Sequence, residues 1–301
     1  MDYEIKHYDL LENCVDIHLH VAPSLIPRKM DIFQMAKRAE EYNYKAIIYK
    51  DHHALTAHCA KLANDHFSKD SNLKVFGAVC LNNSVGGLKA EVVESAIGFG
   101  AKIIWLPTVS AKNHIDYITK HDKFPKLAND VTINETPIPF VDKNGECREE
   151  IINIFEILKA HDNILLGAGH GDADEINTVV EKAAEMGMSD RILIDHPTFI
   201  INASLDLIKH WAELGCYIEH TAALSVPWSS HYDIPPVELV ELIRLVGVEQ
   251  SILASDYGQK DNGDPIEGYD ALFDVLLQNG ITKDEIILMS REIPSALLGL
   301  N

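Results

Sequence analysis

The chain has 301 residues, 47% of them hydrophobic and 24% charged, with a formal net charge of −20. Such a chain can bury a large core, as two domains or as one α/β barrel; its charge opposes nucleic acid and anionic membranes, and no window approaches the roughly 18 apolar residues of a membrane span. The start Met1-Asp2-Tyr3-Glu4-Ile5 lacks signal-peptide character, and the five cysteines (Cys14, Cys59, Cys80, Cys147, Cys216) form no Cys-x-x-Cys pair, which argues against a disulfide framework or thiolate zinc site and fits a cytoplasmic protein.

The first predicted strand covers residues 15–20, with Val15, Ile17 and Leu19 on one face and Asp16, His18 and His20 on the other. Two imidazoles at i and i+2 can bind one metal ion side by side. Asp31 is placed to cap a helix through about Tyr42. Ala46-Ile47-Ile48-Tyr49 is a second strand, ending in Lys50-Asp51-His52-His53, and Thr56 can cap the next helix, near 57–67. A third strand at 75–81 ends in Asn82, and a helix over 88–97 stops at Gly98 and Gly100. The fourth strand ends Trp105-Leu106-Pro107-Thr108.

Residues 109–150 read as an insertion after strand four, with a turn signal at Asp142-Lys143-Asn144-Gly145 that can close a small hairpin. Helices near 148–160, 172–187, 203–214 and 236–246 then alternate with apolar runs at 164–170, 191–197, 216–220 and 251–257, and a helix pair over 268–299 closes the chain. Eight near-continuous apolar runs separated by helical patterns describe a parallel sheet covered on both faces. They close most simply into a single (β/α)8 TIM barrel of residues 1–301, with 109–150 as an insertion or lid. The rival, an open doubly wound sheet, lacks its usual phosphate-binding glycine loop.

The strand ends carry the chemistry. His18 and His20, Lys50 to His53, Asn82, Thr108, His170, His196, His220 and Asp256 all fall at strand C-termini, which converge on one mouth in a barrel. A lone strand-end histidine is usually structural. The repetition at one topological point is hard to produce by chance. Imidazoles and a carboxylate suit zinc or a similar divalent ion, which at an open position lowers the pKa of a bound water towards about 7. His52 and His53 are adjacent, so one can face the mouth; His53 is favoured, while His52 shares parity with Lys50. Glu219 and His220 read as supporting or substrate contacts, and Arg28 and Gln259 border the mouth as weaker substrate candidates. His114 and the other helix or loop histidines need no functional reading.

This pattern resembles the amidohydrolase superfamily of metal-dependent hydrolases, over nearly the whole chain; VDIHLHVAPS, YKDHHALT and ASDYGQ resemble one of its less characterised branches. The resemblance implies His18, His20 and His170 as metal ligands, with His196 as a second-metal ligand or substrate-facing residue. It implies Asp256 as the carboxylate that ligates metal and takes the proton from the attacking water. Binuclear members carry a carbamylated lysine or glutamate at the end of strand four, which is missing here. Lys50 is the substitute, either carbamylated as a bridge or as an ammonium that binds a substrate anion.

The expectation is a hydrolase of a small amide, ester or lactone, using one or two divalent ions (zinc, with manganese or iron as alternatives). His196 or His220 would steady the developing oxyanion. The partner is a small molecule, not nucleic acid or membrane, and homo-oligomerisation stays open. The rivals are a metal-dependent decarboxylase, lyase or isomerase on the same barrel, and a metal- or ligand-binding barrel without turnover.

Overall fold

Eight short strands pair in sequence order into one parallel sheet: Val15–Leu19 (β1), Ala46–Tyr49 (β2), Lys74–Cys80 (β3), Ala101–Trp105 (β4), Leu165–Gly167 (β5), Ile192–Ile194 (β6), Tyr217–Thr221 (β7) and Ser251–Ala254 (β8). They are seen in a computed structural model that describes residues 3–67, 71–121, 127–128 and 131–300. At the seam between β8 and β1, Asp256 N–H donates to the His18 carbonyl at 2.7 Å and His20 N–H to the Tyr257 carbonyl at 2.8 Å. The sheet therefore meets itself, as the predicted (β/α)8 barrel requires and an open sheet does not.

Burial explains why the strands read as unbroken apolar runs. Inward residues such as Ala46, Ile48, Ile103, Trp105, Leu193 and Ile252 fill the barrel, capped below by Leu298. Outward residues such as Ile47, Ile104, Leu166 and Ile194 pack beneath the helices. Both faces are dry, so neither needs polar residues. Gly167 is required by close approach, since a Cβ there would lie 2.1 Å from the Trp105 indole.

The simple alternation expected for β1 does not hold. Its register shifts between Asp16 and Leu19, a bulge-like irregularity that re-aims the strand end. Val15 and Ile17 face the barrel interior, yet His18 also reaches it, its ring 5.6 Å from that of Trp105, while Leu19 packs outside. Asp16 stabilises this irregular stretch: its carboxylate accepts from the His18 and Ser255 N–H groups at 3.2 and 3.0 Å. Burial pushes the Asp16 pKa up to about 6.

Local signals mostly act as predicted. Asp31 forms a capping box with Gln34 at the start of Ile32–Glu41. Thr56 instead serves the sheet: its buried hydroxyl bonds the backbone of Tyr49 and Ala78, joining β2 to β3. Within 109–150, a helix spans Lys112–His121, and Val141 bridges Cys147 across the expected turn. Residues 122–126 and 129–130 of that stretch lie outside the described residues.

Candidate active site

At the β1–β8 seam, three buried or half-buried side chains converge. His18 Nε2 lies 3.2 Å, and His20 Nε2 3.0 Å, from the same Asp256 oxygen, Oδ1. The far side of each ring is anchored: His18 Nδ1 lies 2.7 Å from Glu219 Oε1, and His20 Nδ1 2.9 Å from the Lys50 carbonyl. A carbonyl can only accept, so His20 carries its proton on Nδ1 and presents a bare Nε2. Burial, then Arg28, push the His20 pKa down to about 3. Burial alone would lower His18, but Asp256 and Glu219 outweigh it and raise its pKa. Asp256 is the mirror case: burial opposes its charge, yet the neighbouring His18 imidazole holds it well below the usual carboxylate range.

These atoms fit a divalent cation. Two ligand atoms each about 2.1 Å from one ion at tetrahedral angles lie roughly 3.4 Å apart, close to the spacing here. Their outward partners are those that orient metal-binding imidazoles, and a cation between them would displace the proton on His18. The backbone is shaped for the purpose: Asp256 has φ 51°, a left-handed conformation that persists at functional sites when surroundings enforce it. Gly258 is a second requirement, because a Cβ there would meet the His20 carbonyl oxygen at 1.6 Å.

Across the mouth lies a second group, His170, Asp195 and His196. Asp195 is already matched: Lys50 Nζ sits 3.1 Å from its Oδ2 and 4.3 Å above the Trp105 ring, both charges fully buried. Burial works against each charge, but Asp195 raises the Lys50 pKa and Lys50 lowers that of Asp195. That pairing favours the Lys50 ammonium over the neutral amine that carbamylation needs. His170 Nε2 and His196 Nε2 stand 4.0 and 3.8 Å from Asp195 Oδ2, wider than the seam contacts. His196, at φ 35°, is turned so that it and Asp195 both face the mouth, and its ring lies 6.2 Å from that of His18.

The remaining predicted residues divide. His52 faces the mouth, its Nδ1 2.9 Å from Thr108 Oγ1 and its ring 5.3 Å from that of His20. The favoured His53 turns instead to a separate surface cleft. Lys50 and His52 keep one parity, and that alternation beat the preference for His53. Strand seven reverses similarly: Glu219 points inward to His18, so His220 points outward, where its Nε2 lies 3.0 Å from Ser251 Oγ. His220 cannot steady an oxyanion at the mouth. Arg28 and Gln259 both line the cavity, joined by a backbone bridge, and Gln259 Nε2 donates to the Asp256 carbonyl at 2.7 Å. Asn82 ties His52 to β4, donating to the His52 carbonyl and to Thr108 Oγ1, each at 2.7 Å.

Two residues were missed from sequence. Asp195 sits beside His196 and shares inward parity with Leu193, a signal that was available. His114 lies on helix Lys112–His121, yet its Nδ1 is 2.6 Å from Nδ1 of His170 and the rings stack at 4.8 Å. Its neighbour Asn113 donates to the carbonyls of Gly171 and Ile200 at 3.2 and 3.0 Å. Helix Lys112–His121 thus holds the loops after β5 and β6. No local pattern announces this.

Above the imidazoles opens a cleft lined by His18, His20, Arg28, His196, Phe199 and Gln259. No helix among the described residues is long and apolar enough to cross a membrane.

The architecture matches solved structures at low identity. An amidohydrolase from Pseudomonas aeruginosa aligns with TM-score 0.62 and 9% identity over 97% of this chain and 98% of that one. A 5-methylcytosine deaminase from Klebsiella pneumoniae gives 0.58 and 11% over 96% and 75%, and a 2,6-dihydroxybenzoate decarboxylase from Rhizobium 0.55 and 10% over 96% and 99%. These neighbours share the barrel, so the likeness they show is one of fold. No curated protein matches the sequence. A family model described as "Family of unknown function (DUF6282)" matches residues 13–219, and the chain belongs to that family.

Proposed function

We propose that the protein is a metal-dependent hydrolase of a small amide, ester or lactone, with its metal at the β1–β8 seam. The observation that carries this reading is the convergence of His18 Nε2, His20 Nε2 and Asp256 Oδ1, with Glu219 and the Lys50 carbonyl fixing both rings from behind. Zinc suits this nitrogen and carboxylate set, with manganese or iron as alternatives. When bound, the ion supplies Lewis acidity and an acidified water at neutral pH. His170 stands ready to complete the set from β5.

The chain's own groups do the rest. Asp256, kept ionised, takes the proton released by the attacking water at its carboxylate and passes it to the leaving group. His196, whose Nδ1 has no hydrogen-bond partner among the described residues, faces the developing oxyanion. Lys50 keeps Asp195 neutralised beside that position. Within residues 109–150 the expected lid role falls to helix Lys112–His121, whose Tyr117 and Ile118 line the cavity. A cytoplasmic location suits the five unpaired cysteines.

A second reading, decarboxylation, is favoured by one feature: Arg28 lines the same cavity, where it could bind a substrate carboxylate such as the 2,6-dihydroxybenzoate of the decarboxylase neighbour. Elemental analysis of protein purified without chelator, followed by turnover on ester, amide and lactone panels, tests the main reading. One equivalent of divalent metal that disappears in His18→Ala/His20→Ala supports it. Metal-replete protein that binds none would sink it, and carbon dioxide release from carboxylated compounds without hydrolysis would favour the second.

A further inference from the structure

The walls of the mouth carry two chemistries, and the strand order sets them opposite one another. Arg28 follows β1 and pairs through its backbone with Gln259, which follows β8. Tyr117 and Ile118 come from the helix after β4, and Phe199 and Ile200 from the loop after β6. In a barrel ordered β1 to β8, strands four to six stand across from the β8–β1 seam. All of these side chains line the one cavity above His18 and His196.

Arg28 is poorly matched within the protein. Its Nε donates to Ser24 Oγ at 3.2 Å. One terminal nitrogen lies 3.4 Å from His20 Nδ1, but that ring nitrogen gives its proton to the Lys50 carbonyl, so the contact joins two donors. Among the described residues the guanidinium forms no ion pair within 4.0 Å; Asp51 and Asp256 act on it only from further off, and Asp51 accepts from the His53 N–H. A guanidinium lining a cavity with most of its donors unused calls for an acceptor from outside. The four side chains Tyr117, Ile118, Phe199 and Ile200 of the facing wall carry one hydrogen-bonding group, the Tyr117 hydroxyl, while His170, His196 and His231 add imidazoles to the same lining.

We infer that the substrate is a small carboxylate with an apolar, ring-sized body, its carboxylate held by Arg28 and its body laid against Phe199 and Tyr117. This rests on the proposed function, which puts the chemistry between those two ends. The planar fork of arginine matches a carboxylate bidentately. One guanidinium balances one negative charge, so in a chain of net charge −20 a phosphate dianion beside Asp256 is disfavoured.

Equilibrium binding to the protein as purified, with its metal, tests this without turnover, so failed hydrolysis assays and a failed substrate class remain distinguishable. Titration calorimetry with benzoate, benzamide and phenyl phosphate is expected to give benzoate at least about tenfold tighter binding than benzamide, a charge-assisted hydrogen-bond effect. Arg28→Met should erase that preference, Arg28→Lys should keep part of it, and Phe199→Ser should weaken benzoate and benzamide alike. Three results would overturn the inference: equal affinity for benzoate and benzamide, tighter binding of phenyl phosphate, or benzoate binding that survives Arg28→Met and is lost in Asp256→Asn. The last would place the carboxylate on the metal centre. Circular dichroism confirms folding of each variant, and Arg28→Lys serves if Arg28→Met unfolds.

Discussion

The two halves of the mouth use nearly the same residue types to opposite ends. At the β1–β8 seam, two imidazoles and Asp256 face one another at 3.0–3.2 Å, their other polar atoms tied outward. Across the barrel, His170, His196 and Asp195 offer the same chemistry, but the carboxylate is spoken for by Lys50 at 3.1 Å. A buried carboxylate with its own ammonium is already balanced; one that shares its oxygen only with imidazoles is open to a cation. Residue type alone therefore does not make a metal site. The counter-charge separates a half that is open to a cation from one that is already balanced.

The sharpest way to break this contrast is to remove the seam. His18→Ala/His20→Ala should abolish metal retention, read by elemental analysis, while His170→Ala should leave a measurable fraction bound; the reverse order would move the metal to the β5–β6 half. Asp256→Asn should lower turnover by about 10²–10⁴-fold through loss of the proton acceptor, measured in protein shown to contain metal.

The balanced half can be unbalanced next. Lys50→Met strands Asp195 as a buried unpaired charge and should destabilise the protein by about 3–5 kcal/mol, as breaking buried pairs does. Adding Asp195→Asn should recover most of that loss in denaturant titrations. If the double variant is no better than the single, Lys50 owes its place to something other than Asp195. A smaller effect is expected at His114, which orients His170 through a 2.6 Å contact. His114→Phe should weaken metal affinity about tenfold if His170 completes the site, and not at all if the seam suffices.

The smallest effect lies outside the mouth. Burial lowers the His220 pKa to about 3, against about 6.5 unfolded. The unfolded chain therefore binds the extra proton first. The contribution of His220 is complete above about pH 6.5 and is lost as pH falls towards 3. His220→Gln should make the fall in unfolding free energy between pH 6 and 4 less steep by about 1.4 kcal/mol per pH unit. An unchanged slope would mean that His220 is charged in the folded state.

What the sequence determined by itself was everything that depends on periodicity and chain order. Two dry faces force apolar runs, and eight such runs alternating with helices give the barrel. Strand C-termini then gather His18, His20, His170, His196 and Asp256 without any knowledge of contacts. Alternation even held the answer at His52, which keeps the parity of Lys50. Other features were settled only in three dimensions. The register shift of β1 against β2 sends Ile17 and His18 to one side of the sheet, against a period of two, where Asp16 and His18 also bond the chain just after β8. His220 and Glu219 exchanged places for a like reason, since which parity faces inward is set by barrel closure. The pairing of Lys50 with Asp195 and of His114 with His170 spans 145 and 56 residues. Charge balance of that kind depends on distance in space, which composition and spacing do not encode.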